Sequence, residues 1–254
     1  MTATRIVSDL PYYSPERADL TPYQRERCRL DVSAPEGATG LPVVVWFHGG
    51  GLAWGDKAIP ELFQNRDLVV MSANYRLSPQ VQCPAYLEDA AAAVAWAFRH
   101  AAEYGGRADR IFVAGHSSGA YLSLMMGLDK RWLGAHGIDA DRLAGLVPLS
   151  GHAITHFTIR KERGITERQP VVDDGAPLFH ARAAAFPILL VTGDREKEML
   201  GRYEENAYLM RMLKINGHSR VTLYELEGYG HGMFEPAVPL MMEFIQSVMT
   251  AGGG

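Results

Sequence analysis

Residues 113–122 read VAGHSSGAYL, a Gly-x-Ser-x-Gly motif set between an apolar run and a helix-like one. A serine raised on a sharp strand-to-helix turn needs small neighbours, because larger ones collide with the adjoining strand and helix. Gly115 and Gly119 meet that need. They leave Ser117 as a candidate nucleophile at the carboxyl end of a strand and at the positive end of a helix. A serine hydroxyl attacks poorly until a base takes its proton, and the base needs an orienting acid. His231, in GYGHGMF, follows the last apolar run and is the candidate base. Asp194 closes ILLVTGD at the tip of another run and is the candidate acid. Glu196 and Glu198 are its rivals but lie past that tip. Such a constellation performs acyl transfer, with activity falling at acid pH because the base must be neutral.

Attack on a carbonyl also creates an oxyanion, which needs preorganised donors. One is expected from the backbone N–H of Ser118, the residue after the nucleophile. The others are expected from FHGGGLAWG (47–55), where successive glycines let main-chain N–H groups converge on a small anion. Gly50 and Gly51 are the candidate donors, with His48 as a brace. No Gly-Lys-Ser/Thr follows this loop and no Gly-x-Gly-x-x-Gly occurs, which argues against a nucleotide.

Leu52, Ala53 and Trp54 are expected to form one wall of a substrate pocket. His152 and His156 are expected to form the other, with Met233 and Phe234 beside the acyl group. His116 is a further pocket candidate, although its side chain is expected to point away from Ser117. The i, i+4 spacing of His152 and His156 lacks a third ligand and an accompanying Glu, so no metal is expected.

These residues need a scaffold. Six short apolar runs, at 41–50, 67–76, 110–117, 143–151, 186–194 and 221–230, are continuous rather than alternating, as strands covered on both faces are. Helix-like stretches lie between or after them at 84–106, 118–137, 201–218 and 236–250, with Pro84 and closing glycines as boundary signals. Strand–helix alternation predicts an α/β fold with a mostly parallel sheet. Residues 152–182 break the rhythm. They are polar, and too long for an ordinary connection, so a small lid or insertion is expected there. Met125, Met126, Met241 and Met242 are expected to fill the core, and the terminal GGG to be loose.

The 254 residues suffice for one sizeable domain, 47% of them are hydrophobic, and the net charge is −4 with both signs scattered. No basic stripe suggests nucleic acid. No apolar stretch approaches the roughly 20 residues of a membrane helix, and no secretion signal opens the chain. Cys28 and Cys83 match no metal or redox spacing, so reduced thiols in a cytoplasmic protein are expected. PLMMEFIQSVM, near the end, suits either a homodimer contact or an amphipathic helix on the sheet.

With these motifs the chain resembles the α/β-hydrolases, and among them the hormone-sensitive-lipase-like carboxylesterases. The likeness rests on His48-Gly49-Gly50-Gly51, NYRLSP (74–79), DRIFVAGHSSGA (109–120), APLFHARAAAFPILLVTGD (176–194) and GYGHGMF (228–234). Those esterases usually have Asp or Glu where His116 stands, Asp where Asn74 stands, and a longer N-terminal cap region. GHSSGA and the short N-terminus are more similar to kynurenine formamidases and to small acetyl- and feruloyl-esterase-like hydrolases. The resemblance implies an α/β-hydrolase fold with about eight strands, flanked by helices, as a single domain over 1–254. It implies hydrolysis of small, short-acyl esters without a cofactor. An aryl-formamidase and a carbohydrate acetyl or feruloyl esterase are the alternatives, and a non-catalytic binding protein is the least favoured.

Overall fold

The computed structural model describes residues 3–251, so the terminal glycine run at 252–254 lies outside the described residues. Eight strands form one sheet: β1 (Thr4–Pro11), β2 (Arg29–Pro35), β3 (Leu41–Phe47), β4 (Val69–Ala73), β5 (Gly106–His116), β6 (Gly145–Leu149), β7 (Ile188–Gly193) and β8 (Val221–Leu226). Their spatial order is β1-β2-β4-β3-β5-β6-β7-β8. β2 is antiparallel to both its neighbours, and every other pair is parallel. The mostly parallel sheet read from the sequence is therefore present. β1 carried no sequence signal because much of it faces solvent, with Ile6 53% exposed.

The helices are α1 (Pro22–Arg27), α2 (Ala85–His100), α3 (Ser118–Leu128), α4 (Lys130–Gly134), α5 (Phe157–Glu162), α6 (Arg202–Ile215) and α7 (Phe234–Ala251). The helix expected over 118–137 breaks at Asp129, whose carboxylate caps α4 by accepting the N–H of Arg131. Alternate residues of β3 serve two separate cores. Val43, Val45 and Phe47 pack with α2, α3 and α6, while Val44 and Trp46 pack with α7 through Val238 and Met241. Burial on both faces explains why the central strands read as unbroken apolar runs. Met125, Met126 and Met241 are fully buried in these cores. α7 lays Ala237, Val238, Met241 and Ile245 on the sheet. Among the described residues no helix is long and apolar enough to cross a membrane.

The 152–182 segment carries α5 and a 3₁₀ turn at Pro177–His180. It is tied to itself by Thr155 N–H to the Val171 carbonyl (2.9 Å) and Leu178 N–H to the Ala153 carbonyl (2.8 Å). All parallel strands point their carboxyl ends at one edge of the sheet, and that edge is where the chemistry-bearing loops gather.

Candidate active site

The link from β5 to α3 turns so sharply that Ser117 occupies φ 57°, ψ −116°, a region side chains rarely adopt. Its neighbours show why the turn needs glycine. A Cβ on Gly119 would lie 2.0 Å from the Phe47 carbonyl oxygen, and one on Gly115 would lie 2.5 Å from the Gly119 carbonyl carbon. The turn is pinned by Ser117 N–H donating to the Leu149 carbonyl at 2.8 Å.

Ser117 Oγ lies 3.0 Å from His231 Nε2. On the other side of the imidazole, Nδ1 lies 2.7 Å from Glu198 Oε1. Ser117 and His231 thus meet as the sequence suggested, but the carboxylate beside the His231 ring is that of Glu198, not Asp194. Asp194 instead accepts the N–H of Gly228 at 2.8 Å and that of Glu196 at 2.9 Å. Its own N–H donates to the Tyr229 carbonyl. Those bonds tie the β7 tip to the loop that carries His231. Residues 194–198 then make one helical turn, with Glu198 N–H bonded to the Asp194 carbonyl at 2.7 Å. A turn advances only about 1.5 Å per residue, so the fourth residue past the tip is still beside it. Lying past the strand tip therefore does not take Glu198 away from His231. The longer Glu side chain covers the remaining distance, and it is fully buried, whereas Asp194 is partly exposed.

Ser150, which sequence reasoning missed, joins this group. Its hydroxyl donates to Glu198 Oε2 at 2.7 Å and lies 3.1 Å from His231 Nδ1. It follows the end of β6 at φ 53°, and the buried Arg202 guanidinium holds its carbonyl. Burial by itself would raise the Glu198 carboxyl. Bonds from His231, the Met199 N–H and Ser150 outweigh that and hold it down to about 2. Glu198 is therefore an anion at neutral pH, suited to fix the base with its proton on Nδ1 and Nε2 facing the serine.

His116 packs against His231. Its Nε2 lies 2.8 Å from the His231 carbonyl, and the two rings are 4.7 Å apart. Burial is the main cause that holds its imidazole down to about 4, so it is neutral and donates to that carbonyl. It supports the base rather than lining a pocket.

The glycine loop is held from behind. Tyr75, from NYR, donates to the His48 carbonyl at 2.9 Å and stacks on the His48 ring at 4.5 Å. His48 Nδ1 bonds the Gly49 carbonyl at 2.6 Å, and Arg27 reaches Nε2 at 3.3 Å. Burial holds His48 down to about 4. Gly50 and Gly51 have φ 118° and 62°, and a Cβ on Gly50 would strike the Trp54 carbonyl oxygen at 2.0 Å. A Cβ on Gly49 would touch Ser117 Cβ at 3.4 Å, so the loop lies against the nucleophile. Among the described residues no protein acceptor takes the N–H of Gly50 or Gly51.

Several expected pocket residues sit elsewhere. Leu52 is fully buried in the main core, whereas Trp54, 72% exposed, keeps its ring beside Gly50, where a Cβ would lie 3.2 Å from it. Met233 is buried under the sheet, and Phe234 packs on Trp46 and Phe63, because α7 begins there and turns onto the far face. His156 caps α5 by accepting the Thr158 N–H. His152 alone of that set borders a cavity, one of about 620 Å³ flanked by Phe157 and Met199. Ser117 and His231 do not line it. It adjoins them, because Met199 follows Glu198 and a Cβ on Gly51 would lie 3.0 Å from the Phe157 ring.

Comparison with known proteins agrees with this architecture. The BD-FAE family profile matches residues 30–141. The carboxylesterase NlhH of Mycobacterium tuberculosis is 32% identical over 136 residues, 52% of this chain and 43% of that one. The chain spans less than half the length of this and the other curated relatives it first matches. Among solved structures, a truncated carbohydrate esterase from gut microbiota superposes with a TM-score of 0.79 at 20% identity, covering 97% of this chain and 96% of that one. An esterase from the planctomycete Thermogutta terrifontis gives 0.72 at 21% identity, covering 97% and 92%. The chain has the α/β-hydrolase fold.

Proposed function

We propose that this α/β-hydrolase-fold chain is a serine carboxylesterase acting on small, short-acyl esters. The observation that carries the reading is the continuous relay from Ser117 Oγ to His231 Nε2 at 3.0 Å and from His231 Nδ1 to Glu198 at 2.7 Å. In this reading His231 takes the Ser117 proton as the oxygen attacks the ester carbonyl. Glu198 fixes the imidazole and stabilises its charged form. The N–H groups of Gly50, Gly51 and Ser118 receive the oxyanion, and the helix dipole of α3 adds to them. His231 then protonates the departing alcohol, and water clears the acyl-enzyme by the same route in reverse. The chain 1–254 acts as one catalytic domain. Residues 152–182 form a cap over it, a reading supported by Thr158 Oγ1 donating to the Gly51 carbonyl.

The test is a pair of measurements on the purified protein. A fluorophosphonate should label Ser117 stoichiometrically, and Ser117→Ala should lower kcat on 4-nitrophenyl butyrate by roughly 10⁴-fold or more. Wild-type turnover by the alanine variant would refute the nucleophile.

A further inference from the structure

The cavity beside the reacting centre has two guanidiniums in its wall, those of Arg160 and Arg202, only 3% and 1% exposed. Among the described residues neither lies within 4.0 Å of a carboxylate. Arg202 is held by neutral groups, donating to the Ser150 carbonyl and, at 3.1 Å, to His152 Nε2. Arg160 gives Nη1 to the carbonyls of Glu167 and Gln169, and its buried Nε has no partner. A buried guanidinium with no carboxylate in direct contact and an unmet N–H is costly unless something else pairs with it.

The one acid inside the cavity is already spent. Glu205 accepts the N–H groups of Ala153 and Ile154 and the Nδ1 proton of His152. His152 is neutral there, because Arg202 donates to its other nitrogen, so this contact is a hydrogen bond and not an ion pair. Arg168, Glu167 and Glu204 line the same cavity but are exposed at its rim, where solvent screens them. Glu198, buried behind Ser150, and Glu205 both lie close enough to offset Arg202, so the guanidinium left with an unmet N–H is that of Arg160. Ile154, Phe157, Met199 and Leu200 add apolar surface to the wall.

We propose that this cavity selects esters that carry a carboxylate, seating the apolar stem of the substrate on Phe157 and Met199 and its anionic end toward Arg160 and Arg202. The inference rests on the serine-esterase reading and names the substrate class for it. A carboxylate would meet the unpartnered Nε of Arg160, and the planar guanidinium fork suits it.

Matched ester pairs test it on the intact protein. On the acyl side, the 4-nitrophenyl monoester of adipic acid is compared with 4-nitrophenyl methyl adipate. On the alcohol side, 4-acetoxybenzoate is compared with its methyl ester. At least one anionic ester should exceed its neutral partner in kcat/KM by about tenfold. That ratio should fall to about one in Arg160→Met and recover in part in Arg160→Lys. Turnover of all four esters with neither anionic one favoured would overturn the carboxylate site and leave the esterase reading standing. Turnover of none would overturn the esterase reading itself. The wild-type ratio decides the matter even where a variant does not fold.

Discussion

The two halves of the candidate site are built differently. The nucleophile half, at the tips of β3 and β5, is backbone packed on backbone. Gly115, Gly119 and the Phe47 carbonyl leave no room for a single added carbon, and Ser117 is locked in a strained conformation by that packing. The acid–base half, at the tips of β6, β7 and β8, is a network of side-chain bonds on more open loops, with the His231 side chain 31% exposed. Ser150, Glu198, His116 and Asp194 hold it by hydrogen bonds that can be removed one at a time. The lesson is that strain needs an enclosing frame, whereas the orientation of a base can be shared among several modest contacts.

That contrast can be broken at several levels. The largest effect belongs to Gly119→Ala, whose Cβ would meet the Phe47 carbonyl oxygen at 2.0 Å. It should yield no soluble folded protein, as judged by circular dichroism and expression. Gly232→Ala, beside the base, meets nothing within 4 Å and should keep its melting temperature to within a few degrees. A well-folded Gly119→Ala protein would erase the distinction.

Ser150→Ala should have a graded effect. It removes one donor from Glu198 and one contact from His231, and about 1 kcal/mol is at stake. A fall in kcat of roughly fivefold to tenfold with little change in KM is expected in steady-state assays.

Acid stability is the subtlest test. His116 and His48 are each held down to about 4 from an ordinary 6.5, so the unfolded chain binds protons that the native state refuses between those values. Their contribution is complete above pH 6.5 and is lost as pH falls through about 4. Glu198, held down to about 2 from 4.5, extends the loss below that window. For His116 alone the limit is about 3 kcal/mol. The melting temperature of His116→Gln should therefore vary less with pH between 6.5 and 4 than that of the wild type.

The same contrast explains what the sequence disclosed. The nucleophile half was legible because steric necessity leaves a local signature. Gly115, Ser117 and Gly119 can be read together, and three glycines after an apolar strand point to a loop that must come close. The central strands were legible because burial on both faces makes them continuous apolar runs. The acid–base half was legible only in part: His231 could be picked from GYGHGMF, but its carboxylate could not, since the parts come from three loops and the deciding event is a single turn at 194–198. The signal for Glu198 was present in its spacing of four from Asp194, which puts both on one side of a helical turn. Met233 and Phe234 misled because residues next to a base need not face the substrate when a helix starts there. Ser150 had no signal beyond ending an apolar run, and its role depends on a backbone turn at positive φ.

The central claim is that the charge behind His231 comes from Glu198, while Asp194 only ties loops together. It is tested most directly by measuring kcat on 4-nitrophenyl butyrate for Glu198→Gln and Asp194→Asn side by side. A relay through Glu198 predicts a loss of roughly 10³–10⁴ in kcat for Glu198→Gln and a loss within about tenfold for Asp194→Asn. The reverse order, with Asp194→Asn nearly inactive and Glu198→Gln near the wild-type rate, would contradict it.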